Sequence, residues 1–126
     1  MTIKTAVVVL SDPKSGGEEA LGRVFNALAA TYDFKQNGGE VTLMFQGAGT
    51  RWVGELSKPD HPAAELYKSV QDKVAGISCG CADVFGGAED AEAAGLDLIK
   101  DNPVPGTSGM PSLAKLAGDG YSTLIF

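Results

Sequence analysis

Two kinds of hydrophobic run alternate along this chain. Thr5 to Leu10 (TAVVVL) is β-branched and apolar on both parities, the pattern of a parallel strand covered on both faces. From Glu18 to Lys35 the apolar residues Leu21, Val24, Phe25, Leu28 and Ala29 recur three and four apart, which predicts an amphipathic helix. Glu18 and Glu19 in its first turn complement the helix dipole, and Asn37-Gly38-Gly39 ends it. Val41 to Gln46 predicts a second strand that leads into a loop, Gly47 to Trp52. The next helix opens between Pro59 and Pro62, with Asp60 as N-cap, and carries Ala64, Leu66, Tyr67, Val70 and Val74. Ala75 to Ser78 is a short third strand that delivers Cys79. Asp83 to Ala94 reads as a helix ended by Gly95, and Leu96 to Ile99 as a fourth strand. Asp101 to Gly109 is the longest loop. Pro111 to Ala117 then predicts a helix and Tyr121 to Phe126 a last strand.

Strands separated by helices imply right-handed crossovers and a mainly parallel sheet. The expected fold is α/β, a three-layer Rossmann/flavodoxin-like sandwich on a mainly parallel five-stranded sheet. A strand order of 2-1-3-4-5 is expected. In that order the first and third strands flank the crevice at the carboxyl ends, which places Cys79 inside it. The loops Ser11 to Gly17 and Gly47 to Trp52 open on the same edge.

Composition narrows the function classes. With 126 residues and no linker, repeat or low-complexity segment, residues 1–126 form one domain. A net charge of -6 and the absence of basic runs argue against nucleic acid as a partner. The longest uninterrupted apolar run, Ala6 to Leu10, is too short to span a membrane, and the N-terminus has no signal-peptide pattern. The only two cysteines are Cys79 and Cys81, and a disulfide between them would close a small strained ring. With no secreted-type framework available, a reducing cytoplasm is the expected compartment.

The candidate chemistry centres on Cys79-Gly80-Cys81. At a strand end that enters a helix, a thiol meets unpaired main-chain amides that favour the thiolate. Cys79 ends the strand and is the better candidate for the crevice, whereas Cys81 supports, resolves or packs. The plain alternative is a small buried hydrophobe. Gly80 lets a backbone approach a ligand closely. Ser11 lies in a loop that precedes a helix, where an anion can be cradled, but no phosphate or dinucleotide signature is present. Gly49 and Arg51 lie in the second loop, where Arg51 is placed to hold an anionic sulfur species or steady a thiolate. Trp52 walls the pocket or packs on a neighbouring subunit. Cys-x-Cys supplies two ligands where structural zinc takes four, and the single histidine, His61, lies elsewhere; neither a metal nor a cofactor is expected.

Ile77-Ser78-Cys79-Gly80-Cys81-Ala82-Asp83-Val84-Phe85-Gly86-Gly87, then Ala93-Ala94-Gly95-Leu96, then Ser112-Leu113 with Gly120-Tyr121 before a terminal strand, resembles the DsrE/DsrF-like family. The resemblance covers nearly the whole chain. It implies a Rossmann-like sulfur-relay protein carrying a persulfide on a cysteine just after the third strand, the position of Cys79. It also implies donor and acceptor protein partners and a homo-oligomer, commonly a trimer or hexamer. Cys81 departs from a one-cysteine pattern, since members differ in whether a second cysteine is present.

The expected function is a sulfur carrier or sulfurtransferase. Two alternatives stay open. One is a non-catalytic small-ligand or nucleotide-binding module. The other is an oligomeric scaffold subunit with Trp52, Tyr67 and Phe85 as interface anchors.

Overall fold

The valines at positions 7–9 lie on an interior strand of the sheet. The computed structural model describes residues 2–126. Its strands are β1 (Lys4–Val9), β2 (Glu40–Phe45), β3 (Val74–Ser78), β4 (Asp97–Ile99) and β5 (Ser122–Ile125). Its helices are α1 (Gly17–Gln36), α2 (Trp52–Leu56), α3 (Ala64–Val70), α4 (Cys79–Phe85), α5 (Ala88–Ala93) and α6 (Leu113–Gly118). Short 3-10 turns occupy Gly47–Arg51 and Gln71–Lys73. Every strand pairing is parallel. The α/β class and the five-stranded parallel sheet are those the sequence predicts.

The strand order is β4-β3-β2-β1-β5, which corrects the expected 2-1-3-4-5. From β1 to β4 the chain steps in one direction, and from β4 it returns across the sheet to lie outside β1. Crossovers of one hand then require α6 to cover the face opposite α1 and α3. The reversal point therefore lies between β1 and β5. Strand β3 sits between β2 and β4, so Cys79 opens on the same carboxyl edge but away from the reversal crevice.

Packing on the two faces is unequal. On one, Val7, Val9, Leu43, Phe45 and Ile77 meet α1, α3 and Trp52 in the main core. Burial of each large apolar side chain is worth roughly 1.5–3 kcal/mol, so this layer supplies most of the cohesion. On the other, Ala6, Val8 and Met44 are also buried, yet α6 buries no residue of its own. The parity of β3 changes at a register shift between Leu43 and Met44, which lets Val74 and Ile77 both reach the main core. Gly76 sits at this shift with φ 150°, and a Cβ there would strike the Asp97 carbonyl of β4.

Local differences from the expected elements have identifiable causes. The helix expected over 83–94 is two helices, because Gly86 and Gly87 take φ of 88° and 101° and turn the chain between α4 and α5. The stretch after β2, expected as a loop, winds into the 3-10 turn and α2. Helix α3 begins later than expected and has no side-chain cap; the His61 ring nitrogen accepts from the Ala63 amide in the lead-in, and Asp60 does not cap it. Val74 belongs to β3 rather than to that helix.

Candidate functional site around Cys79

Ser78 is fully buried at the end of β3, and its hydroxyl accepts from the Cys81 amide at 3.3 Å, so the strand passes into α4 without a loop. Cys79 is the first residue of the helix and is partly exposed, while Cys81, two residues on, is buried with 7 % of its surface accessible. A helix repeat of about 100° per residue separates the two sulfurs onto different sides, so they serve different environments.

The main-chain amides expected to face the Cys79 sulfur have other partners. Gly80 N donates to Gly109 O at 2.7 Å, and the Cys81 amide is held by Ser78. The sulfur's polar neighbours come instead from side chains. Ser108 Oγ lies 3.2 Å from Cys79 Sγ and 2.5 Å from Asp83 Oδ2. Asp83 is four residues along α4, which brings it over the same side of the helix as Cys79.

Ser108 reaches this place because the loop after β4 is tied down. Asn102 and Met110 exchange main-chain hydrogen bonds of 2.7 and 2.9 Å and close the loop at its base. Thr107 Oγ1 donates to Val104 O and accepts from Gly109 N, which shapes the tip. Gly80 N then fastens the tip to α4. The close approach that Gly80 permits is to this loop: a Cβ at 80 would lie 3.0 Å from Gly109 O and 3.2 Å from the Thr107 Cβ. Sequence reading missed Ser108. The one signal available was that the longest loop follows the strand expected to neighbour β3.

The other sequence candidates gather at a second corner of the edge. Arg51 NH1 pairs with Asp12 Oδ1 at 3.0 Å, its Nε donates to Phe85 O at 2.8 Å, and its guanidinium lies 5.7 Å from the Phe85 ring centroid. Arg51 thus binds the β1 loop to the end of α4. Ser11 O accepts from Trp52 Nε1 at 2.8 Å. Gly49 is buried, and a Cβ there would collide with Val9 O. Asp12 accepts from Ser15 Oγ and the Lys14 amide as well as from Arg51, and these bonds hold its carboxyl down at about 2. Trp52 and Tyr67 are core residues with 2 % and 1 % of their surface accessible, which corrects the expectation that they anchor an interface; only Phe85 of that set reaches the surface.

A cleft elsewhere on the edge does not coincide with the sulfur. About 540 Å³ opens between the β1 loop, the first turns of α1 and the end of β5, with Leu10, Ser15, Glu19, Arg23, Ile125 and Phe126 on its walls. It occupies the actual reversal point of the sheet. Among the described residues, no group of three or more His, Cys, Asp or Glu side chains gathers as for a metal, and no helix is long and apolar enough to cross a membrane.

The family model described as the DsrE/DsrF-like family matches residues 4–126. Searches of curated proteins and of solved structures returned no match.

Proposed function

Because the chain belongs to the DsrE/DsrF-like family, we propose that it is a sulfur carrier, a persulfide relay that works through Cys79. The single observation that carries this reading is the partly exposed Cys79 sulfur at the junction of β3 and α4, beside a hydroxyl and a carboxylate. The family's general link to sulfur relay supplies the direction.

The reaction needs no net oxidant. A thiolate at Cys79 attacks the outer sulfur of a donor persulfide, R–S–SH. A new S–S bond forms at Cys79, the donor S–S bond breaks, and its electron pair leaves on R–S, which takes up a proton as R–SH. Discharge to an acceptor thiol is the same step in reverse. The donor and acceptor are proteins in this reading, and Cys81, being buried, packs beneath the reactive end of α4. The chain self-associates, with a trimer or hexamer expected by mass in solution, and it works in the cytoplasm. Gly80 fastens the loop that carries Ser108 to the sulfur's helix, while Arg51, Ser11 and Gly49 hold the neighbouring corner of the edge.

Incubation with a sulfane donor followed by intact mass tests the reading. A gain of about 32 Da, one sulfur atom on a nucleophilic thiol, is expected in the wild type and absent in Cys79→Ser. No gain, or a gain that survives Cys79→Ser, overturns it.

A second reading has its own observation. The cleft at the β1/β5 reversal point lies where open α/β sheets bind small ligands. Under it the chain is a small-ligand or nucleotide-binding module. A ligand that binds only the native state raises the melting temperature, and a rise that persists in a cysteine-free variant favours this reading.

A further inference from the structure

We propose that Ser108 is the link through which Asp83 governs the proton of Cys79. The inference rests on the sulfur-relay reading for its biological use, but its test does not.

Ser108 Oγ is within hydrogen-bond distance of both Cys79 Sγ and Asp83 Oδ2. A hydroxyl has one proton and can donate it to only one of them. With the thiol protonated, its S–H points to Ser108 Oγ and the hydroxyl donates to the Asp83 carboxylate. A thiolate requires the opposite arrangement, with the hydroxyl proton turned onto sulfur. Asp83 then loses its hydroxyl partner. The carboxylate therefore competes with the sulfur for one proton, and Ser108 is where they compete.

Lys100 lies at the base of the loop beside Gly109, and Asp101 accepts from the Ser112 amide. The 102–110 loop carries no charged side chain. Arg51, on the turn packed against α4, is engaged by Phe85 O and Asp12. The main-chain bonds that fasten the loop fix Ser108 above the sulfur. In sulfur transfer the accounting closes without Asp83 as a base: the thiol proton leaves to solvent as the Ser108 hydroxyl turns from Asp83 onto sulfur. The sulfur's electron pair attacks the donor persulfide, the donor S–S bond breaks, and the released R–S takes up a proton from solvent.

The test is the rate of Cys79 alkylation by iodoacetamide at neutral pH, read by peptide mass. Five variants are compared with the wild type: Asp83→Asn, Ser108→Ala, their double variant, and Ser108→Thr with and without Asp83→Asn. In Asp83→Asn the amide donates to Ser108 Oγ and frees the hydroxyl proton for sulfur. A charge-assisted hydrogen bond of this kind raises the thiolate population by about tenfold. The lower basicity of that thiolate reduces its intrinsic attack by about threefold, so a net rise of about threefold is expected. In the Ser108→Ala background the same substitution changes the rate by less than about 1.5-fold, because the link is gone. With Ser108→Thr, which keeps the hydroxyl, the threefold response returns.

No response to Asp83→Asn, or an equal response with and without the hydroxyl, overturns the proposal. Both residues are exposed, so the variants are expected to fold, and a urea midpoint equal to that of the wild type confirms it for each. Alkylation uses no sulfane donor. A failure here leaves the persulfide reading standing, and a missing persulfide adduct leaves this result standing.

Discussion

At the β1–β2 corner of the sheet edge, polar groups are matched to partners within the fold, whereas at the β3–β4 corner a sulfur is left half open. In the first, Trp52 is buried and hydrogen-bonded to Ser11, and Arg51 spans from Asp12 to the end of α4. In the second, Cys79 meets Ser108 and Asp83 at the surface, and the loop that brings Ser108 is held by a few main-chain bonds. Residues that looked equally functional in the sequence thus divide into two kinds. Arg51 and Trp52 hold the edge together, and Cys79 presents a partly exposed thiol.

The comparison is broken most readily by substitution at its buried member. Trp52→Ala is expected to destabilise the protein by about 3–5 kcal/mol in urea denaturation, through lost packing and an unpaired Ser11 carbonyl. Cys79→Ser is expected to change the same midpoint by less than about 1 kcal/mol. Equal losses at the two positions would erase the distinction.

A smaller effect is expected inside the second corner, where α4 meets the 102–110 loop. Gly80→Ala places a Cβ against Gly109 O and Thr107, and overpacking of this kind costs about 1–3 kcal/mol. Hydrogen exchange at the Gly80 amide then accelerates, because that amide fastens the 102–110 loop. Unchanged exchange would mean that the loop is held by something other than this contact.

The smallest expected effect is pH-dependent and confined to the first corner. The Ser15 hydroxyl, the Lys14 amide and Arg51 lower the Asp12 carboxyl from 3.8 to about 2. A group lowered on folding adds stability above its unfolded value, and that stability is lost as pH falls through the folded value. The contribution of Asp12 is therefore complete above about pH 4 and fades toward about pH 2. Stability against pH for Asp12→Asn should be flatter than wild type across that window, and an unchanged slope would contradict the assignment. Screening at this partly exposed site keeps the effect modest.

Much of the scaffold was legible because local pattern and tertiary role agree. The valines of β1 are buried on both faces, as their unbroken apolar run requires. The three-and-four spacing of α1 places Val24 and Leu28 in the core. Strand order was not legible, because it depends on which face each crossover takes, and the segment 101–121 gives no local sign that it returns across the sheet to β1. The Gly86-Gly87 break was visible in the sequence but reads as a helix interruption only once both residues are known to take positive φ. At the site, Cys79 stood out by residue type and by its position after an apolar strand. Ser108 did not, because a serine in a nine-residue loop gains meaning only from the Gly80–Gly109 contact that sets it 29 positions away in sequence from its sulfur. The amide niche expected for that sulfur failed for the same reason: the loop, invisible as a partner, occupies the Gly80 amide.

The central claim is that sulfane sulfur resides on Cys79. The direct measurement is to load the wild-type protein with a persulfide donor, trap it by alkylation and locate the extra sulfur by peptide fragmentation. The account predicts the added sulfur on Cys79 and none on the buried Cys81. Sulfur found on Cys81, or a loaded protein carrying none on Cys79, would contradict it.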